Sequence, residues 1–235
     1  MKFKNLKEDV GRWGWIRSLF LRVMSMLYRH AGLHVYRINV RPLVRDPPHS
    51  RFPAGITVRM LQAEELLKAA EDPELDLPPD FVRGALARGD IAFGAIMSDR
   101  LIGYTWRTFT SAPYFDGLWA KVDRPYQYTY KSFTLPAYRG RHIHVGITLF
   151  ADQHLLERGY TAEVGFIDVV NFTSIGVAKY LGREKIGYAG YVKLFGHRIL
   201  FRTPAASKVG AGLFEPHQRT APNPLPLTGA SSGSV

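Results

Sequence analysis

Between Tyr126 and Val169 the chain reads strand, turn, helix, strand, and this run does most to limit what it can fold into. Tyr126 to Leu135 is rich in aromatic residues and Thr, which suit a pleated, half-buried surface. Arg141 to Arg158 has an amphipathic helical pattern that stops at Gly159, and Ala162 to Val169 reads as a strand again. Before this unit, Ile56 to Met60 reads as a short strand and Ala63 to Glu71 as a helix ended by Asp72-Pro73. Pro78-Pro79 opens another short helix. Ile91 to Met97 and Leu101 to Phe109 form strands around the tight turn Ser98-Asp99-Arg100, and a loop covers 111–125. After the unit come a helix, Phe172 to Leu181, and two strands, Lys185 to Phe195 and Arg198 to Arg202. A strand–helix–strand unit flanked by hairpins predicts an α/β (α+β) domain over 52–202. Its mixed central sheet has about six to seven strands flanked by helices.

Charge marks off the N-terminal segment. Residues 1–51 hold 11 Lys and Arg against 3 acids, whereas the other 184 residues hold 20 against 17. Within this segment, 12–31 reads as a helix, with Trp15, Leu19, Val23 and Leu27 at four-residue steps. Arg12, Arg17 and Arg22 fall at different angles around it, which favours a helix packed on the domain or on a partner over one lying on a membrane. His34 to Val44 reads as extended. Residues 1–51 are therefore expected to form a basic helical extension and arm, suited to an acidic partner such as acyl carrier protein or to an anionic membrane surface. The balanced remainder argues against nucleic acid. No stretch reaches the ~20 apolar residues that span a bilayer, so a cytoplasmic or membrane-peripheral protein is expected. Residues 203–235 hold five Pro, four Gly and four Ser and are expected to be a disordered tail. With no cysteine, the chain has no disulfide, no thiolate metal site and no cysteine nucleophile. The eight histidines are scattered, and no metal is expected.

The turn after the Tyr126–Leu135 strand opens directly into a helix. The first N–H groups of such a helix are unpaired and lie at the positive end of its dipole, so they form a ready anion site. Arg139 and Arg141 add charged donors.

Leu135-Pro136-Ala137-Tyr138-Arg139-Gly140-Arg141 resembles the donor motif of the GCN5-related N-acetyltransferases (GNAT), commonly V-x-P-x-Y-R-G-x-G-x-G. Asn171-Phe172-Thr173-Ser174 is similar to that family's N-x-x-S/A segment, and Tyr180-Leu181-Gly182-Arg183 begins a stretch similar to its L-G-F-x-x-x-G ending. The resemblance covers Ile56 to Arg202 and implies a GNAT-like sheet with acetyl-CoA or another acyl-CoA as donor. It implies that backbone groups of Phe133, Thr134 and Leu135 pair with the pantetheine arm. It further implies that Arg139, Gly140, Arg141, His142, Ile143 and His144 hold the pyrophosphate, and that Asn171 contacts the pantetheine or acyl group. His142 and His144 stand where the motif has glycines. Their bulk threatens to close the loop, while their charged form would attract phosphate.

In this family an amine attacks the donor thioester, a base takes its proton and a tyrosine protonates the thiolate. Glu163 and Asp168 are the base candidates, and strand alternation turns them to opposite faces. Where the family places its tyrosine stands Ala178. Tyr180 lies about 200° further round the helix. Tyr130, which shares a strand face with Tyr128, is the other tyrosine candidate and would line the acceptor cleft. The expected activity is N-acyl transfer, most directly N-acetyl transfer, to a small-molecule or protein amine. An acyl-carrier-protein-dependent acyltransferase and a GNAT-like binding module without catalysis are the alternatives. A homodimer stays open.

Overall fold

The computed structural model describes residues 10, 11, 13–45 and 55–216. The expected boundary at residue 51 and the tail beyond 216 lie outside the described residues. Helix α1 (Trp15–His30) is followed by β1 (Leu33–Pro42), β2 (Ile56–Met60), α2 (Ala63–Ala69), α3 (Pro79–Ala87), β3 (Ile91–Met97) and β4 (Arg100–Thr108). Two short strands, β5 (Ser111–Pro113) and β6 (Trp119–Lys121), precede β7 (Tyr126–Thr134), α4 (Ile143–Glu157), β8 (Ala162–Asp168) and α5 (Phe172–Tyr180). The described chain closes with β9 (Glu184–Leu194), β10 (His197–Arg202), α6 (Pro204–Lys208) and β11 (Gly212–Phe214).

The main sheet is mixed and has eight strands in the order β10-β9-β1-β8-β7-β4-β3-β2. Seven are the strands read from the sequence. The eighth, β1, comes from the segment expected to lie outside the domain as an arm. Instead β1 pairs antiparallel with β8, from Tyr36↔Asp168 to Pro42↔Ala162, and with β9, from Leu33↔Val192 to Val40↔Glu184. Both edges of β1 are hydrogen-bonded, and Tyr36 and Ile38 are buried. Two further expectations give way. The 111–125 loop contains β5 and β6, which join β11 in a small three-stranded sheet. The stretch from Thr203 to Phe214 is ordered by burial of Ala206 and Ala211, despite its composition.

Helix α4 packs across β2, β3, β4 and β7. It presents two stripes side by side, one buried and one largely so. Ile143, Ile147, Ala151 and Leu155 recur at four-residue steps and join the hydrophobic core with Phe93, Ile102 and Trp106. Burying each of the larger of these side chains is worth about 1.5–3 kcal/mol. One residue along, at the same spacing, run His144, Thr148 and Asp152, which are polar.

Candidate functional site

Strands β7 and β8 run parallel but pair over only three positions, Tyr126↔Ala162, Gln127↔Glu163 and Tyr128↔Val164. Beyond them the sheet opens. Lys131 adopts φ 42°, the register of β7 against β4 slips between Tyr104 and Trp106, and the strand bends there. Lys131 is held in place by Asp76, 2.6 Å away.

Two cavities adjoin this opening. One, of about 460 Å³, lies between the parted strands, with Tyr130 and Ser132 on one side, Phe166 on the other and Arg183 nearby. The second, of about 490 Å³, follows the turn after β7 and is lined by Thr134, Arg139, Gly140, His142 and Tyr180. His144 and Val177 line both, so the cavities meet at the start of α4.

The turn is shaped for exposed N–H groups. Gly140 has φ 78° and His142 φ 56°, and no side chain caps the first turn of α4. His142 thus takes the left-handed conformation that glycine adopts most readily, which strains a β-carbon-bearing residue by roughly 1 kcal/mol. Its ring lies 5.1 Å from that of Tyr180. Arg139 donates from Nε to the Thr134 carbonyl at 3.1 Å, and the Arg141 guanidinium lies over the Tyr138 ring.

Several expected site residues already have partners within the fold. Both backbone groups of Leu135 are engaged: its N–H donates to Ile102, and its carbonyl accepts from Tyr138. The Leu135 N–H is therefore already spent within the fold, and its carbonyl keeps one lone pair for a pantetheine arm. Phe133 pairs in register with Tyr104 and stacks on its ring. Asn171 caps α5, its Oδ1 accepting from the Ser174 N–H at 3.0 Å. The spacing that resembles a family motif here serves as a helix cap. Tyr180 sits beside His142 at the turn, away from the opening between the strands.

Glu163 is held inside a buried ion network. It is 1% exposed, accepts from Arg41 Nε and Arg183 Nε at 2.7 Å each, and takes the Thr129 hydroxyl at 3.0 Å. Burial pushes its carboxyl up, but Arg183 and Arg41 outweigh that and hold it far below the usual carboxylate range. Arg41 also grips Asp152 of α4 with two bonds, at 2.7 and 2.8 Å. Arg107 completes this buried group. Its Nη1 donates to Thr105, while Nε and Nη2 have no partner among the described residues, and burial lowers its pKa to about 10. With three guanidiniums and two carboxylates, the region beneath α4 carries a positive excess.

Tyr130 is tied up as well. It donates to Asp90 at 2.6 Å and accepts from Arg88 at 3.1 Å. Burial, then Asp90, raise its pKa far above the ordinary phenol value, which makes it a poor acid toward a thiolate. Asp168 ends β8 on a third cavity, of about 540 Å³, lined by His34, Tyr36, Tyr114 and Phe115. It accepts from the Tyr28 hydroxyl at 2.7 Å and the Val170 N–H at 3.0 Å. Tyr114 also lines the cavity between the strands. Among the described residues, no three His, Asp or Glu side chains gather to hold a metal ion.

The sequence reading missed what His144 does. Its Nδ1 is buried without a partner among the described residues, and burial, then Arg183 and Arg107, lower its pKa to about 3 from the ordinary 6.5. It is a neutral ring at neutral pH and not a cation for phosphate. Its folded pKa lies below the unfolded one, so this stabilisation is complete above about pH 6.5 and is lost as pH falls toward 3. Urea unfolding at pH 7 and pH 4.5 should show His144→Gln losing less stability on acidification than the parent, by about 1 kcal/mol per pH unit. Equal losses would show that the ring titrates freely. The signal available in sequence was the four-residue spacing of His144, Thr148 and Asp152.

No protein-family model and no curated protein matches the chain. It is similar to several solved GNAT structures. One is a GCN5-related N-acetyltransferase from Kribbella flavida, at 15% identity over 74% of this chain and 64% of that one, with TM-score 0.47. Another is from Sphaerobacter thermophilus, at 16% identity over 78% and 55%, with TM-score 0.48. A third is a tandem GNAT protein from the clavulanic acid biosynthesis pathway, at 16% identity over 77% and 58%, with TM-score 0.48. The chain spans less than two thirds of each of these structures.

Proposed function

We propose that the chain is a divergent GNAT-type N-acyltransferase that moves an acyl group from acyl-CoA to an amine. The observation that carries this reading is the coincidence of a sheet that parts beyond Tyr128 and Val164 with an uncapped helix N-terminus at the same opening. Two adjoining cavities connect them. The N–H groups at the start of α4, with Arg139 swung from the Thr134 carbonyl, suit the donor pyrophosphate. The unpaired edge of β7 suits an extended amide-bearing arm. The parted strands then hold the thioester.

The attacking amine nitrogen bonds to the thioester carbonyl carbon, the carbon–sulfur bond breaks, and the nitrogen gives up a proton. With Glu163 locked among arginines, Asp168 is the remaining carboxylate candidate for that proton; it lines the third cavity, which shares Tyr114 with the one between the strands. The thiolate is released to solvent for protonation, since Tyr130 lines the cavity but gives its proton to Asp90, and Tyr180 sits beside His142 at the turn.

Calorimetric titration of the chain with acetyl-CoA should give saturable binding below about 1 mM, with Arg139→Ala weakening it about tenfold. No heat at millimolar acetyl-CoA sinks the acetyl reading. A binding module without turnover is the second reading, and the engagement of Glu163 and Tyr130 favours it. It expects donor binding but no release of free thiol over a broad amine panel.

A further inference from the structure

Helix α1 is held on the domain by a narrow face. Only Ser18, Leu21 and Met24 are buried, and Tyr28 anchors the far end through its bond to Asp168. On the other side, Trp15, Ile16, Leu19, Phe20, Val23 and Met26 are 39% to 67% exposed. At 100° per residue these six fall within one arc of about 140°. The helix is amphipathic the wrong way round for a monomer in water: its apolar stripe faces outward. A continuous apolar patch of this kind marks an interaction surface.

Charge identifies the occupant. The helix has no acid, and Arg22 and Arg29 border one edge of the apolar arc. Beyond it, 1–51 contain the chain's basic excess, 11 basic residues against 3 acids. Arg41 belongs to the buried ion network, but α1 carries Arg17, Arg22 and Arg29, all on the surface. An acidic protein groove would complement the arginines, but the six apolar side chains demand a surface that also takes up hydrocarbon. A tryptophan at one end, aliphatic side chains along the face and arginines at the rim together match the boundary between headgroups and acyl chains. The apolar surface also continues into a groove of about 510 Å³, between Ile16 and Phe20 of α1 and Phe172 and Ile175. Among the described residues no helix is long and apolar enough to cross a membrane, so the contact is peripheral.

We infer that α1 docks this protein on an anionic lipid bilayer, with Trp15, Leu19 and Val23 inserted at the interface and Arg22 and Arg29 against the headgroups. The different angles of Arg12, Arg17 and Arg22, which in the sequence favour packing over a membrane-lying helix, leave room for both: one side of the helix packs and the other meets lipid.

The test is flotation of the full chain with phosphatidylcholine vesicles, and with vesicles containing phosphatidylserine at about one part in four. The expected result is flotation with the anionic vesicles, on the order of tenfold weaker on the neutral ones and weakened by added salt. The triple variant Trp15→Ser, Leu19→Ser and Val23→Ser should remain in the dense fraction with an unchanged thermal midpoint, because all three side chains are exposed. Arg22→Glu with Arg29→Glu should abolish the preference for anionic vesicles. The inference is overturned if the parent stays in the dense fraction with both vesicles, or if the triple variant floats like the parent. A dimer seen by sedimentation, dispersed by the triple variant and without flotation, also overturns it, since a second copy would then cover the face. Acetyl-CoA titration of the same triple variant should match the parent, which separates failure here from failure of the transferase reading.

Discussion

Glu163→Gln should lower the stability of the protein by about 3–5 kcal/mol, a fall in thermal midpoint on the order of 10 °C. The carboxylate is the point where three parts of the chain are tied together: β1 through Arg41, the end of α5 through Arg183, and β7 through Thr129. A neutral amide keeps the size but leaves two buried guanidiniums short of their counter-charge, with Arg107 close enough to add its own repulsion. Breaking one partner of such a group is far more damaging than never having built it, because the remaining charges stay out of water. Replacing Arg183 with Met in the Gln variant should therefore restore part of the loss. Thermal and urea unfolding of the two variants decide the matter. An unchanged midpoint in Glu163→Gln with lost transferase activity would return Glu163 to the role of base.

His144→Gly should raise acetyl-CoA affinity about tenfold, if the cleft at the start of α4 holds the donor. The imidazole stands where the two cavities meet, is uncharged, and leaves Nδ1 without a partner among the described residues. It contributes bulk at the junction and no charge. Removing it joins the cavities and lets a ligand approach the backbone, which is what glycine permits at such a turn. His142→Gly alone should do less for affinity. The backbone there already has φ 56°, so glycine relieves strain of about 1 kcal/mol without changing the path of the loop. Titration of each single variant and of the pair separates the two effects. Affinity that drops in His144→Gly would mean that the ring itself holds the donor.

The elements of this fold were legible because their ends are marked locally. Asp72-Pro73 and Gly159 stop helices, and Ser98 and Asp99 both take positive φ in the tight turn their sequence suggests. The destination of β1 was not legible. Val35, Tyr36 and Ile38 announce a strand, but nothing near them says that its neighbours lie more than a hundred residues away. The ordered stretch after Thr203 was hidden for a similar reason, since Ala206 and Ala211 are too small to show a pattern before their pocket is known. At the site, the turn from Tyr138 to His144 could be placed from sequence because strand, turn and helix are contiguous there. The roles of Glu163 and Tyr130 could not, because Arg41 and Asp90, which occupy them, are distant in the chain.

The seat of β1 also sets an order of events in assembly. A ribosome makes this strand before β8 and β9, which must clasp it on both sides and follow only after more than a hundred further residues. Until then its hydrogen-bonding edges and its apolar residues have no lasting partner. Closing the sheet requires an early segment to be captured by late ones, a non-local step of the sort that slows folding and leaves open strand edges exposed to other chains. The same arrangement makes the finished sheet hard to unzip from its N-terminal end, since β1 cannot leave without parting β8 from β9.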